Sequence, residues 1–502
     1  MTRIALASAL PFAFLVAVSL AGADFGSYWD DEAMFTKVRR ALAPPPTLLP
    51  NAYDYPGVTF LMSVAALAPE ALADPSLRRV VPDTSGLDSF TRSETYRIRT
   101  RSLFAIVSSL AVVWIAALSV VTGGNALEAF LASAFFAASW EVGYHLRWIA
   151  PDGVTAMLVV ATVTCAAAAL RASERERRWW LRGGAILAGL ATGSKYSAWP
   201  AVLAIAAVVL LVPDGTRPIR LRELAQLAAM SVAAFLVVSP GTLLQPTLAA
   251  SQIRAQAIHY ATAHGIYTVG RGFEHLTRML AYDLLVLPSP YVAVAVGCSA
   301  ASMAGAAALI RQSPRTAVVV IGFPVFFTAY FALQRVMIVR NLLVIAPFAA
   351  VLAARGVRIA WQSVGRYPIV GRAVLAIAVG LALALNIAYQ VSAVASVRAR
   401  ASRSALDEFQ AWRSQQPHGS IQTAGRLAQV DHDAAPAPAD ATVAVYALDA
   451  VHAGARPNGW RTFARVFGPR EVNLNYYPDW PGEEHIVLMS RAEARGLGIV
   501  EQ

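Results

Sequence analysis

The chain has 502 residues, 57% hydrophobic and 15% charged, with a mean hydropathy of +0.50. Soluble domains carry about 25% charged residues, so this composition excludes an ordinary soluble enzyme and predicts a polytopic membrane protein. The formal net charge of +11 does not indicate nucleic acid: the arginines gather at the ends of apolar runs, as membrane orientation requires, and no nucleic-acid module is recognisable. Cys165 and Cys298 lie in apolar runs without the His or Cys neighbours of a zinc site and read as inert helix residues.

Apolar runs long enough to cross about 30 Å of hydrocarbon at 1.5 Å per residue occupy residues 4–23, 102–121, 126–145, 153–170, 223–243, 283–310, 316–333, 338–354 and 372–394. The 183–212 stretch is too long for one span, and Gly193-Ser194-Lys195-Tyr196 interrupts it. It predicts two short helices meeting at Lys195, for about eleven spans in all. Only two of the 42 basic residues, Lys37 and Lys195, are lysines, which singles out a lysine at a helix break. Gly183, Gly184 and Gly189 read as helix-packing glycines.

Orientation follows from the densest arginine cluster, Arg171, Arg175, Arg177, Arg178 and Arg182, which belongs in the cytoplasm. The loops at 216–222, 311–315 and 355–372 then fall on the same side. Residues 24–101 become an outer loop, and the first helix enters from the cytoplasm. The alternative for that helix is a secretory signal ending at Ala21-Gly22-Ala23; either leaves Asp31 outside. The apolar 57–72 segment is too short to span and reads as interfacial. Arg78, Arg79, Arg92, Arg97, Arg99 and Arg101 are then outer arginines against the positive-inside rule, which points to an anionic ligand. The chain divides at residue 394 into a membrane domain, 1–394, and a small extracytoplasmic α/β domain, 395–502, with strand-like runs at 442–448 and 485–489. Tyr476, Tyr477 and Trp480 are candidate contacts for sugars or partners.

The ionisable residues collect at the outer side: Asp30-Asp31-Glu32 after the first helix, Arg97 to Arg101, Arg147 with Asp152, and Lys195-Tyr196. Carboxylates are costly in hydrocarbon, so a run of them beside a span is a candidate for chemistry at the water interface. The bland readings are helix capping for Asp31-Glu32 and Asp152, snorkelling for Lys195, and lipid headgroup contacts for the arginines. His259, His264 and His275 with Glu274 match no compact zinc spacing and indicate no metal; a divalent cation is not called for by any motif.

These residues carry a resemblance. Trp29-Asp30-Asp31-Glu32 looks like the Asp-Glu motif of the GT-C glycosyltransferases, in particular the dolichyl-phosphate-mannose protein mannosyltransferase and aminoarabinose lipid A transferase group. Tyr53-Asp54-Tyr55-Pro56-Gly57 resembles that group's aromatic-proline outer segment, and Arg97 to Ser102 the arginine opening its next helix. His145 to Asp152 is similar to the Arg-x-x-x-Pro-Asp element, Gly189 to Tyr196 to the Gly-Leu-x-x-Gly-x-Lys element, and Arg340 to Pro347 to a later helix start. The resemblance covers roughly residues 20–360 and departs from the family at Asp30, an extra aspartate that could exchange roles with Asp31.

It implies a multi-pass protein of a bacterial-type plasma membrane that moves a sugar from a polyprenyl-phosphate carrier to a glycan, lipid or protein hydroxyl at the outer face, with inversion. The lipid phosphate is already a good leaving group, so such a site needs a base and cations rather than the carboxylate pair of retaining hydrolysis. Asp31 is expected as the base with Glu32 beside it, and Asp152 as the group orienting sugar or acceptor. Arg99, Arg101, Arg147, Lys195, Tyr196 and Arg340 are expected at the donor phosphate and sugar, and Asp30, His259 and His264 as secondary or acceptor contacts. The alternative is a transporter or flippase for an anionic lipid or sugar phosphate. Against it, the ionisable residues avoid the midplane and no repeat is evident.

The arginine distribution predicts that an alkaline-phosphatase fusion at Gln502 is active and one near Glu176 inactive; the reverse pattern would invert the site's location.

Overall fold

In hydrocarbon, backbone polar groups must be satisfied within their own segment, so long apolar runs fold as helices. The computed structural model describes residues 2–23, 29–42, 47, 49–73, 91, 93–212, 217–262, 267–364, 368–400, 405–425, 427–431, 438, 440–454, 462–463 and 486–500. α1 (Thr2–Ala21) leads to α2 (Trp29–Leu42), which carries Asp31. α3 (Gly57–Ala65) and α4 (Ala68–Ala73) divide the 57–72 segment. The nine residues of α3 reach about 14 Å, under half the hydrocarbon thickness.

α5 (Glu94–Ser109) and α6 (Ala111–Val121) form one apolar rod. α7 (Ala126–Ala138) breaks at Ser139, whose hydroxyl accepts from the Val142 N–H and caps α8 (Trp140–His145). α9 (Pro151–Ala169) starts with proline at its first position, where no N–H is needed. Every residue of α9 is buried, so it is the protein-enclosed axis of the bundle. α10 (Glu174–Ser194) packs along it, followed by a 3-10 turn (Tyr196–Ala201) and α11 (Val202–Leu211). Next come α12 (Arg217–Val238), α13 (Gly241–Leu244), α14 (Pro246–Ala261), α15 (Phe273–Leu285), α16 (Val292–Gln312) and α17 (Pro314–Ala332). A 3-10 turn (Val339–Ile345) enters α18 (Ala346–Ser363), and α19 (Pro368–Arg400) leads out of the bundle.

Among the described residues eight helices are long and apolar enough to cross a membrane. The other three expected stretches, α7, α10 and α11, are also helices but fall short in length or carry charge. Two expectations need correction. The first helix of the 183–212 stretch is not short: a Ser173–Glu176 capping box starts α10 within the arginine cluster, giving 21 residues. The span placed at 283–310 begins instead at Val292, because Pro288 and Pro290 separate it from α15, which holds Asp283.

Glycines set the closest approaches. A Cβ at Gly189 would lie 2.1 Å from the Ser231 carbonyl, one at Gly305 would lie 1.9 Å from the Leu352 carbonyl, and one at Gly356 would lie 1.9 Å from the Ala301 carbonyl. α10 thus packs backbone to backbone on α12, and α16 on α18. Gly184 meets Ile205, whereas a Cβ at Gly183 meets nothing within 4 Å, so Gly183 is not a packing glycine.

After α20 (Ala405–Arg413), strands β1 (Ile421–Thr423), β2 (Thr442–Tyr446), β3 (Thr462–Phe463) and β4 (Ile486–Met489) form a sheet of order β1-β2-β4-β3. β1 is parallel to β2, and β4 is antiparallel to both β2 and β3. Side chains alternate across it: Ala444 and Tyr446 face Phe409 and Leu427, while Val443 and Val445 face Ala450 and Ala494. The short helix α21 (Leu427–Val430) packs against α2, placing this small domain beside the helix that bears Asp31. Tyr476, Tyr477 and Trp480 lie outside the described residues.

Gly356→Leu should lower the thermal unfolding midpoint in detergent, an overpacking cost of about 1–3 kcal/mol or more. Gly322→Ala, whose Cβ meets nothing within 4 Å, should leave it unchanged or higher.

Candidate active site

The first helix ends where two arginines meet it. Arg147 donates to the Gly22 carbonyl at 3.3 Å and Arg101 to the Ala23 carbonyl at 2.9 Å. Both guanidinium groups are fully buried, and cations are favourable at a helix C-terminus. A Cβ at Gly22 would lie 1.9 Å from Arg147 Nη1, so any larger residue there would displace the guanidinium from this position. Arg147 also donates from Nε to the Gly143 carbonyl at 3.0 Å and lies over the Trp140 ring at 5.7 Å. Burial pulls its guanidinium down to about 10, and the neighbouring Arg101 charge acts in the same direction.

Asp31 completes this cluster. Its carboxylate is 1% exposed, and Arg101 Nη2 donates to its Oδ2. Arg101 therefore reaches Asp31 itself. Arg99, two residues earlier on α5, forms a two-pronged pair with Glu70 of α4, one contact being 3.0 Å. The side chains of Asp30 and Glu32 lie outside the described residues.

A second cluster lies at the start of α9. Lys195 Nζ is 2.5 Å from Asp152 Oδ1 and 2.5 Å from Asn341 Oδ1, and Asn341 in turn donates to the Tyr260 hydroxyl at 3.1 Å. Arg340 Nε approaches Asp152 Oδ2 at 3.6 Å. The extended backbone of Lys195 between α10 and the 3-10 turn aims its side chain into this cluster. Next to it the Tyr196 hydroxyl donates to the Tyr53 carbonyl at 3.0 Å, and the Tyr53 hydroxyl donates to Gln245 Oε1 at 2.5 Å. Lys37 on α2 pairs with Asp54 and lies 5.5 Å over the Tyr55 ring. Lys37 and Tyr196, the neighbour of Lys195, thus both hold the Tyr53 to Tyr55 segment.

His259 stands on α14, edge-on to Tyr260 at 5.4 Å, and burial lowers its imidazole from the usual value. It therefore neighbours the second cluster through Tyr260. His264 lies outside the described residues. His275 is buried, with Nδ1 2.9 Å from the Gln334 carbonyl. Among the described residues no group of three or more His, Cys, Asp or Glu could hold a metal ion. Sequence reading missed Gly22, Asn341 and the buried Glu141, which accepts from Tyr282 and lies 3.4 Å from His145 Nε2. The Glu141 and His145 spacing of one helical turn was the available signal.

Each cluster joins elements that reach this end of the bundle, the one opposite the arginine loops at 171–182, 217–222, 311–315 and 355–372. Comparisons agree with this architecture. Two crystal structures of ArnT from Cupriavidus metallidurans align over 98% of this chain and 99% of theirs, the apo form at TM-score 0.56 and 12% identity, the form bound to undecaprenyl phosphate at 0.54 and 11%. The chain has the GT-C fold. Residues 97–243 match the family described as dolichyl-phosphate-mannose-protein mannosyltransferase, a segment holding Arg99, Arg101, Arg147, Asp152, Lys195 and Tyr196. The cryo-EM structure of arabinofuranosyltransferase AftD from Mycobacteria aligns at TM-score 0.46 and 15% identity, over 95% of this chain and 39% of that one. No curated protein sequence is detectably similar.

Breaking a buried ion pair from one side costs about 3–5 kcal/mol, because the remaining charge loses its partner. Asp152→Ala should therefore destabilise the protein strongly, and adding Lys195→Met should recover much of that loss. A thermal double-mutant cycle that is simply additive would show that the two do not act as a pair.

Proposed function

We propose that the chain transfers a sugar from a polyprenyl-phosphate carrier to an acceptor hydroxyl at the outer face of the membrane, with inversion. The observation that carries this reading is the pair of buried carboxylate–cation clusters, Asp31 with Arg101 and Asp152 with Lys195, at one end of a GT-C fold. The undecaprenyl phosphate bound to ArnT supports a lipid-phosphate carrier, and the arginine loops at the opposite end support an outer location.

The chemistry then divides between the clusters. Asp31 takes the proton of the acceptor hydroxyl as that oxygen attacks the anomeric carbon, and the bond to the carrier phosphate breaks on the opposite face. Arg101 fixes the orientation of the carboxylate through Oδ2. The departing phosphate gathers negative charge and needs cations already in place; Lys195 and Arg340, converging on Asp152, supply them. Arg147 adds a buried positive charge between the clusters' helices, and Arg99 lies toward the surface with Glu70. Tyr196 and Tyr53 shape the donor side. Asp31 is 1% exposed, so substrate reaches it only after a covering group moves aside. α21 against α2 supports a role for the small domain in selecting a glycan, lipid or protein acceptor without joining the chemistry.

Asp31→Asn should lower transfer from a lipid-linked sugar by at least ~10²-fold, the lower range for general-base catalysis, in a protein that still folds. Asp30→Asn should be milder. Near wild-type turnover by Asp31→Asn together with loss in Asp30→Asn would move the base by one residue.

A further inference from the structure

At the end of the bundle farthest from Asp31, a cavity of about 430 Å³ opens between α7, α18 and α19. Its walls are apolar, built by Leu131, Val357, Leu375, Val379 and Leu383. α19 is held lightly here, with 17% of its apolar stretch buried, and its outer face shows Ile377 and Leu381 to the surroundings.

The rim has the opposite chemistry. Arg358 contacts Glu128 at 2.9 Å and the Gly123 carbonyl at 3.0 Å, and Arg355 contacts the same Glu128 at 3.4 Å. Arg372 lies 5.8 Å over the Trp361 ring. Two arginines thus share one carboxylate, with Arg355 buried behind Arg358, and Arg372 adds an exposed positive charge beside Trp361. A small anion would meet the rim and leave the apolar walls uncovered, whereas a neutral hydrocarbon would leave the positive charge unanswered. Only an amphiphile with a negative head satisfies both, and basic pockets between membrane helices recognise such headgroups.

We propose that this groove binds an anionic membrane phospholipid, with one acyl chain between α19 and the α7–α18 pair and the phosphate at Arg358 and Arg372. The site is independent of the proposed transfer chemistry, lying at the other end of α18 from Arg340. It gives α19, the helix leading to the small domain, a lipid as part of its packing.

The full-length protein in detergent, titrated with phosphatidylglycerol and with phosphatidylcholine of the same chains and followed by native mass spectrometry, tests this. Wild type should retain phosphatidylglycerol preferentially. Arg372→Gln, an exposed change, should weaken that binding about fivefold, the effect of one arginine near an anionic lipid surface, and leave phosphatidylcholine unaffected. Gly380→Leu should fill the groove, since a Cβ there meets nothing within 4 Å, and should reduce retention of phosphatidylglycerol with an unchanged unfolding midpoint. If Gly380→Leu does not fold, Arg372→Gln decides alone. Equal retention of the two lipids, or phosphatidylglycerol binding unchanged in the folded variants, would overturn the proposal. So would loss of a dimer in place of lipid, which would assign the groove to a second copy of the chain.

Discussion

The charged end of the bundle rests on two arginine side chains buried against the last carbonyls of the first helix. A buried guanidinium is tolerated only where acceptors meet it, and Gly22, Ala23 and Asp31 supply them. This arrangement ties α1, α2, α5 and the turn after α8 into one unit. A side chain at Gly22 would displace the Arg147 head from its place, and without Arg101 the Asp31 carboxylate is a buried charge that has lost an ion-pair partner. Position and electrostatics are therefore set by the same contacts.

The second cluster uses a different device. Asp152 sits in the first turn of α9, where the helix dipole already favours a carboxylate. Because α9 is enclosed by protein along its whole length, that helix start is held in place by packing rather than by lipid. Lys195 arrives from the break between a helix and a 3-10 turn, and Asn341 from a second 3-10 turn. Irregular backbone survives where protein surrounds it, and here one irregular segment delivers Lys195 to the Asp152 carboxylate while the other delivers Asn341 to the Lys195 ammonium.

Much of this was legible in the sequence, and the reason is the severity of the membrane as a solvent. Apolar length revealed the helices, arginine asymmetry revealed which ends belong together, and the cost of a carboxylate in hydrocarbon singled out Asp31 and Asp152. Partnership was not legible. Arg101 pairs with Asp31 across 70 positions and Asn341 meets Lys195 across 146, and no local pattern encodes such contacts. Helix boundaries slipped where a capping box or a proline pair outweighed hydropathy, as at Glu174 and Val292. Gly22 read as part of a cleavage site or span end because the need for a missing Cβ appears only once Arg147 is in place.

The scarcity of lysine has a practical chemical meaning. Lys37 and Lys195 are the only side-chain amines in the chain; both are buried, each against a carboxylate, Lys37 at Asp54 and Lys195 at Asp152 next to the Tyr196 that bonds the Tyr53 carbonyl. An amine-directed label or cross-linker therefore has no ordinary surface lysine to consume it. Apart from the chain's own amino terminus, whatever such a reagent modifies reports on the interior of one small region and on how often that region opens.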